Sequence, residues 1–284
     1  MKTALFILIC LICNLPCRTA AENSKINLFH EHLAPSLSFG SIDTAKWNLI
    51  FSDEFNSSDR FDTTKSSFAP RWSPAWAKYL TASPKYVRQE SGNLLLRMDN
   101  QVIENDDVPY HSGGIQTAKK FNFRYGKVEV RAKFNQGKGS WPAIWMMPEH
   151  PVSYGDWPNS GEIDIMEHVN KEDKVHQTIH NGAVTGTDGG STATENSTYN
   201  TEDFNIYAII WDATKIEFYV NHVLRYTYYK SIPSTAAQWP FDKPFYLILN
   251  QSGGAGWPGA IDDADLPFQM EVDYVRVYQK QKTN

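Results

Sequence analysis

The chain has 284 residues, 41% hydrophobic and 13% aromatic, with a formal net charge of −5. That length suits one well-packed domain of roughly 230–260 residues behind a short leader. The acid excess and the lack of any basic stripe give no footprint for nucleic acid, so a neutral or weakly charged partner is expected. Nine Trp and fourteen Tyr are more than a core requires.

Residues 1–21 read as a signal peptide. Lys2 supplies the positive start, Ala4 to Leu15 the apolar run and Thr19-Ala20-Ala21 a small-residue cleavage region. The run is too short to span a membrane. Cys10, Cys13 and Cys17 all lie inside it, so cleavage after Ala21 leaves a chain without cysteine or disulfide. A secreted or periplasmic location is expected. Lipidation at Cys17 is the alternative, although Asn14-Leu15-Pro16 is a poor lipoprotein signal.

Residues 22–45 carry no clear period and read as an N-terminal arm. The main domain runs over 46–280. Trp47 to Phe51 reads as a first strand, and 56–85, rich in Ser, Pro, Trp and Tyr, as a long surface loop region. Loops of that length in compact domains are usually functional. Asn93–Met98 and Ile115–Thr117 follow glycines and read as strands. Lys127 to Phe134 alternates polar and apolar over eight residues, the mark of a half-buried strand. Further strands are expected at 141–147, 175–180, 207–211 and 216–220, with a hairpin turn at Asn221-His222 returning through 223–228, and at 245–250 and 270–278. No amphipathic run reads as a long helix. Many short strands between turn signals predict an all-β fold, a β-sandwich or jelly roll.

The chemistry concentrates in Glu162-Ile163-Asp164-Ile165-Met166-Glu167. In a strand Glu162 and Asp164 share a face, and strict alternation turns Glu167 away from them. One extra residue, a β-bulge with Met166 as the expected insertion, returns Glu167 to the acidic face. Paired carboxylates on one face do acid/base and nucleophilic work on glycosidic bonds. Asp164 between them raises a neighbouring Glu's proton affinity by like-charge repulsion. A merely exposed acidic strand face is the alternative, and large apolar neighbours disfavour it.

His176-Gln177-Thr178-Ile179-His180 has the spacing of a zinc-protease motif, but Gln177 stands where the general base belongs and the context is a strand. On that strand His176, Thr178 and His180 share a face, and His180 is a candidate to hydrogen-bond the nucleophile or a sugar hydroxyl. Asn250 and Gln251 are placed to read sugar hydroxyls. Trp257, inside Gly253-Gly254-Ala255-Gly256-Trp257-Pro258-Gly259, sits in a loop too Gly-rich for core and is read as a binding wall. Trp157 and Trp76, also in loops, are weaker candidates for the same role.

Glu-Ile-Asp-Ile-Met-Glu, with Trp-Pro-Ala-Ile-Trp-Met-Met-Pro about twenty residues before it, resembles glycoside hydrolase family 16. The likeness extends through 125–133, 207–211, 239–245 and 270–278, and so covers about residues 46–279. It implies a jelly roll with a substrate cleft on its concave sheet and endo-action with net retention. It further implies Glu162 as nucleophile, Asp164 as assisting acid and Glu167 as general acid/base, and it places Trp141 and Trp145 in the cleft, where sugar faces stack on indole. No cofactor is implied for catalysis. A structural calcium held in part by Asp273 is, although one acid cannot define such a site. A monomer acting on a polysaccharide or glycan is expected. The breadth of the glucanase group favours a β-1,3- or mixed-linkage glucan. The segments 108–115, 167–170 and 175–180 resemble endo-β-galactosidases of keratan- and mucin-type glycans. A non-catalytic lectin on the same fold and a transglycosylase complete the alternatives.

Overall fold

The computed structural model describes residues 46–57, 60–150, 155–184 and 194–281. The expected signal peptide, the expected N-terminal arm and Cys17 lie outside them. The described residues form strands almost throughout, with 3-10 turns at Ala75–Ala77 and Asp263–Asp265. In chain order the strands are β1 (Trp47–Asp53), β2 (Ser67–Phe68), β3 (Val87–Glu90), β4 (Asn93–Asp99), β5 (His111–Gln116), β6 (Gly126–Phe134), β7 (Ser140–Pro148), β8 (Glu162–Glu167), β9 (Lys174–His180), β10 (Thr194–Thr198), β11 (Asn205–Trp211), β12 (Lys215–Val220), β13 (Val223–Tyr229), β14 (Phe245–Gly253) and β15 (Phe268–Lys280).

Two sheets follow from the pairing. The first runs β10-β9-β8-β7-β14-β5, and the second runs β4-β15-β6-β11-β12-β13. They join where β4 meets β5, through Met98↔Ser112 and Asp99↔His111. The expected all-β sandwich is the observed fold. The short strands β2, β3 and β10 were not legible in the sequence: β2 has two residues, and all three carry polar residues in place of an apolar alternation.

One continuous apolar core lies between the sheets. Ile144 and Met146 of β7, Ile163, Ile165 and Met166 of β8, and Leu247 and Leu249 of β14 meet Val128 and Val130 of β6, Ile209 of β11, and Val275 and Val277 of β15. The odd-numbered residues of β7 and the even-numbered ones of β14 therefore face outward, and Ala143, Trp145 and Ile248 form a second small cluster there. That outward face carries the acids. The polar side of β6 is more covered than its alternation implies. Glu129 is only 3% exposed; it accepts a hydrogen bond from Tyr274 Oη at 2.9 Å and forms an ion pair with Lys127 Nζ at 2.7 Å.

Candidate active site

β8 is the strand on which the site depends. It begins just after Gly161, whose backbone is left-handed (φ 87°); a Cβ there would fall 2.8 Å from Pro240 Cγ. Only glycine meets both conditions at low cost. Against β9, Glu162 pairs with His180, Asp164 with Thr178 and Glu167 with His176. Two residues, Ile165 and Met166, thus span a single step of β9. Against β7, Met166 pairs with Ile144 and Glu167 with Ala143, and Ile165 is left without a partner.

The bulge is where the acid spacing demanded it, but the extra residue is Ile165, not Met166. Met166 retains its ladder partner on β7, and both side chains are fully buried in the core. Burying each contributes roughly 1.5–3 kcal/mol. The core therefore holds two consecutive apolar side chains, and Glu167 is returned to the outer face.

On that face the three acids stand together. Trp157 Nε1 donates to Glu162 Oε2 at 2.8 Å, and Trp141 Nε1 donates to Glu167 Oε1 at 2.9 Å. His180 Nε2 lies 3.3 Å from Asp164 Oδ2 and 4.0 Å from Glu162 Oε1. Burial pushes the Glu162 carboxyl well above the usual carboxylate range, and the neighbouring Asp164 adds to this, while His180 and the Trp157 N–H oppose it. Burial likewise raises Asp164 well above its ordinary value, with Glu167 adding repulsion. Burial raises Glu167 too, opposed by the Trp141 N–H and by His180. Three carboxyls this close cannot all ionise, so the cluster retains protons at pH values where exposed acids have lost them. Each outer Glu has its own indole donor, and the buried Asp164 has neither.

Among the described residues, the His/acid trio with donor atoms close enough for a metal is Glu162, Asp164 and His180, within 4.8 Å of one another. Asp273 lies far from this group in the fold, at an irregularity of β15, with its Oδ2 2.6 Å from Arg131 Nη1. A guanidinium already neutralises that carboxylate, an arrangement that does not fit a calcium ligand.

The aromatic residues separate into exposed and covered ones. Trp157 and Trp257 are each 49% exposed and flank opposite ends of the acid row. Trp257 packs edge-on against Trp141 at 6.1 Å and against His176 at 4.7 Å, and His176 is held by Glu172 at 2.6 Å. Trp145 and Asn250, expected to meet sugar, lie beneath the surface instead. Trp145 is 6% exposed because Trp76 covers it at 4.7 Å, and its Nε1 donates to the fully buried Asn250 Oδ1 at 2.8 Å. They form the floor under the groove. Gln251 is buried beside them. Sequence reading missed the role of His176 as a rest for Trp257; its place on the face of His180 was the available signal. A cavity of about 540 Å³ lined by Lys138, Lys171 and Pro258–Ala260 lies behind the Trp257 loop, away from the acids.

A β-sandwich carrying two indole-tethered glutamates and a buried aspartate on one outer strand face defines a glycoside hydrolase. The chain belongs to the glycosyl hydrolases family 16, whose family model matches residues 76–276. It is 60% identical over 239 residues to a keratan-sulfate endo-1,4-beta-galactosidase of Sphingobacterium multivorum, covering 84% of this chain and 57% of that protein. It is 37% identical over 250 residues to a beta-glucanase of Rhodothermus marinus, covering 82% and 85%. Among solved structures, the laminarinase from Rhodothermus marinus matches with a TM-score of 0.76 at 33% identity, over 83% of this chain and 98% of that one. A chain described among endo-acting O-glycanases expressed by human gut microbiota to initiate mucin breakdown matches with a TM-score of 0.72 at 32% identity, over 81% and 98%. The chain spans 57% of the length of the galactosidase.

Proposed function

We propose that this protein is an exported, retaining endo-β-galactosidase that cleaves internal β-1,4-galactosyl bonds of keratan- and mucin-type glycans. The chemistry rests on Glu162 and Glu167 sharing one face across the β8 bulge. The substrate class rests on the 60% identity to the keratan-sulfate endo-1,4-beta-galactosidase, against 37% to the beta-glucanase. We therefore prefer the galactosidase reading to the β-glucan one. Export rests on the signal features of residues 1–21.

In this mechanism Glu162 attacks the anomeric carbon as the carboxylate, and Glu167 gives its proton to the leaving oxygen. Asp164, which burial and the neighbouring Glu167 hold well above its ordinary range, stays protonated beside Glu162 and so adds no second charge next to the nucleophile. After the leaving sugar departs, Glu167 takes a proton from water, which releases the glycosyl group from Glu162 with retained configuration.

The test is reducing-end release from keratan, mucin O-glycans, laminarin and barley β-glucan, with wild type and Glu162→Gln. Keratan and mucin glycans are expected to yield new reducing ends with wild type alone. Cleavage of laminarin with keratan untouched would overturn the substrate assignment. Binding without cleavage of any of the four would point to a lectin.

A further inference from the structure

The loop ahead of the Ala75–Ala77 turn carries a third exposed tryptophan, Trp72, 57% exposed and more open to solvent than Trp157 or Trp257. Its position is built, not incidental. On one side Arg71 is clamped: Nε donates to the Leu80 carbonyl at 2.8 Å, and Nη1 and Nη2 donate to the two Asp106 oxygens at 2.7 Å each. On the other side Trp72 packs edge-on against Trp76 at 6.5 Å. Trp76 is itself pinned, with its ring against Trp145 and its carbonyl accepting from Ser252 Oγ at 2.6 Å. Asn250 Nδ2 donates to the same Ser252 Oγ at 2.9 Å and so ties this turn to the floor beneath Trp145.

The three indoles form a continuous series of ring contacts that starts beside the acid strand. Trp145 stands on β7, opposite Asp164; Trp76 lies over the outward face of β14; Trp72 is one ring further. Exposing an indole on a clamped backbone is unfavourable in water, and such apolar surface continuous with a site marks binding.

We infer that Trp72, backed by Trp76, is a platform for a neutral pyranose unit of the glycan chain outside the unit whose bond is cut. The inference rests on the reading that the groove holds a glycan. Trp72 takes no part in the chemistry. It holds chains long enough to reach it and so makes the protein favour polymers over short oligosaccharides.

The experiment uses the full chain and two series of defined probes, desulfated keratan oligosaccharides and laminari-oligosaccharides, each from four to twelve sugars. Binding is measured by calorimetry in the Glu162→Gln background, and kcat/KM with the acid intact, for Trp72, Trp72→Ala and Trp72→Phe. For whichever series binds, Trp72→Ala is expected to weaken the longest members about three- to tenfold and the shortest bound member less than twofold. Trp72→Phe is expected to recover most of the loss. Equal loss at all lengths, or none at any, overturns the platform. If only the laminari series binds and shows the length effect, the platform stands while the galactosidase reading fails.

Discussion

The two indole donors allow the roles of Glu162 and Glu167 to be separated by pH. Trp141→Phe keeps an aromatic ring and removes the N–H that donates to Glu167 Oε1 at 2.9 Å. That donor favours the ionised carboxylate, so its loss raises the proton affinity of Glu167 further. A hydrogen bond to a charged group is worth about 1.5–3 kcal/mol, and 1.36 kcal/mol corresponds to one pH unit. As general acid Glu167 must be protonated, so the alkaline limb of the kcat/KM profile moves up by about one to two pH units. Trp157→Phe removes the donor to Glu162 Oε2 instead. Glu162 must be ionised to attack, so here the acid limb moves up, by less, because Trp157 is half-exposed and water replaces part of the lost bond. The assay is kcat/KM against pH on the best natural substrate of the panel, for wild type and both variants. The limbs report the coupled set and not single residues, so the comparison is between variants. Both variants moving the same limb, or Trp141→Phe moving the alkaline limb down, would refute the assignment of roles.

Three other outcomes follow from the same geometry. Glu167→Ala is expected to lose most activity on natural glycans and far less on aryl glycosides whose leaving group needs no proton; equal loss on both, read from initial rates, would exclude it as the acid. Asp164 has its carboxyl raised by burial, so the folded chain binds more protons than the unfolded one above the ordinary carboxylate range, and stability falls as pH rises through that window. Asp164→Asn removes that penalty: thermal unfolding at pH 7 should occur at a higher temperature than for wild type, with the gap closing below about pH 4. Asn250→Ala strands the Trp145 N–H in the floor and removes the N–H donated to Ser252 Oγ, at a cost of about 1–3 kcal/mol, which calorimetry should read as a melting temperature lower by roughly 2–10 °C.

Much of the architecture was legible because strand periodicity is local. β6, β7, β11 and β14 follow directly from alternating or continuous apolar runs, and their observed limits differ from the expected ones by only a few residues. The need for a bulge in β8 was legible for the same reason, since three acids at that spacing cannot share a face in a regular strand. Which residue is extra was not, because both Ile165 and Met166 suit the core and only pairing with Ile144 separates them.

The sequence by itself determined the chemistry: the carboxylates, their order and the strand that carries them are set by nearest-neighbour spacing. Which aromatics lie open around the acids follows only from tertiary packing. Trp145 and Asn250 looked like sugar contacts until a turn about seventy residues before Trp145 laid Trp76 over them, and Trp72 gained its place from a clamp between Arg71 and Asp106. Exposure is a property of what packs above a side chain, and for this groove the covering segment comes from a loop remote in sequence, where no local pattern can announce it.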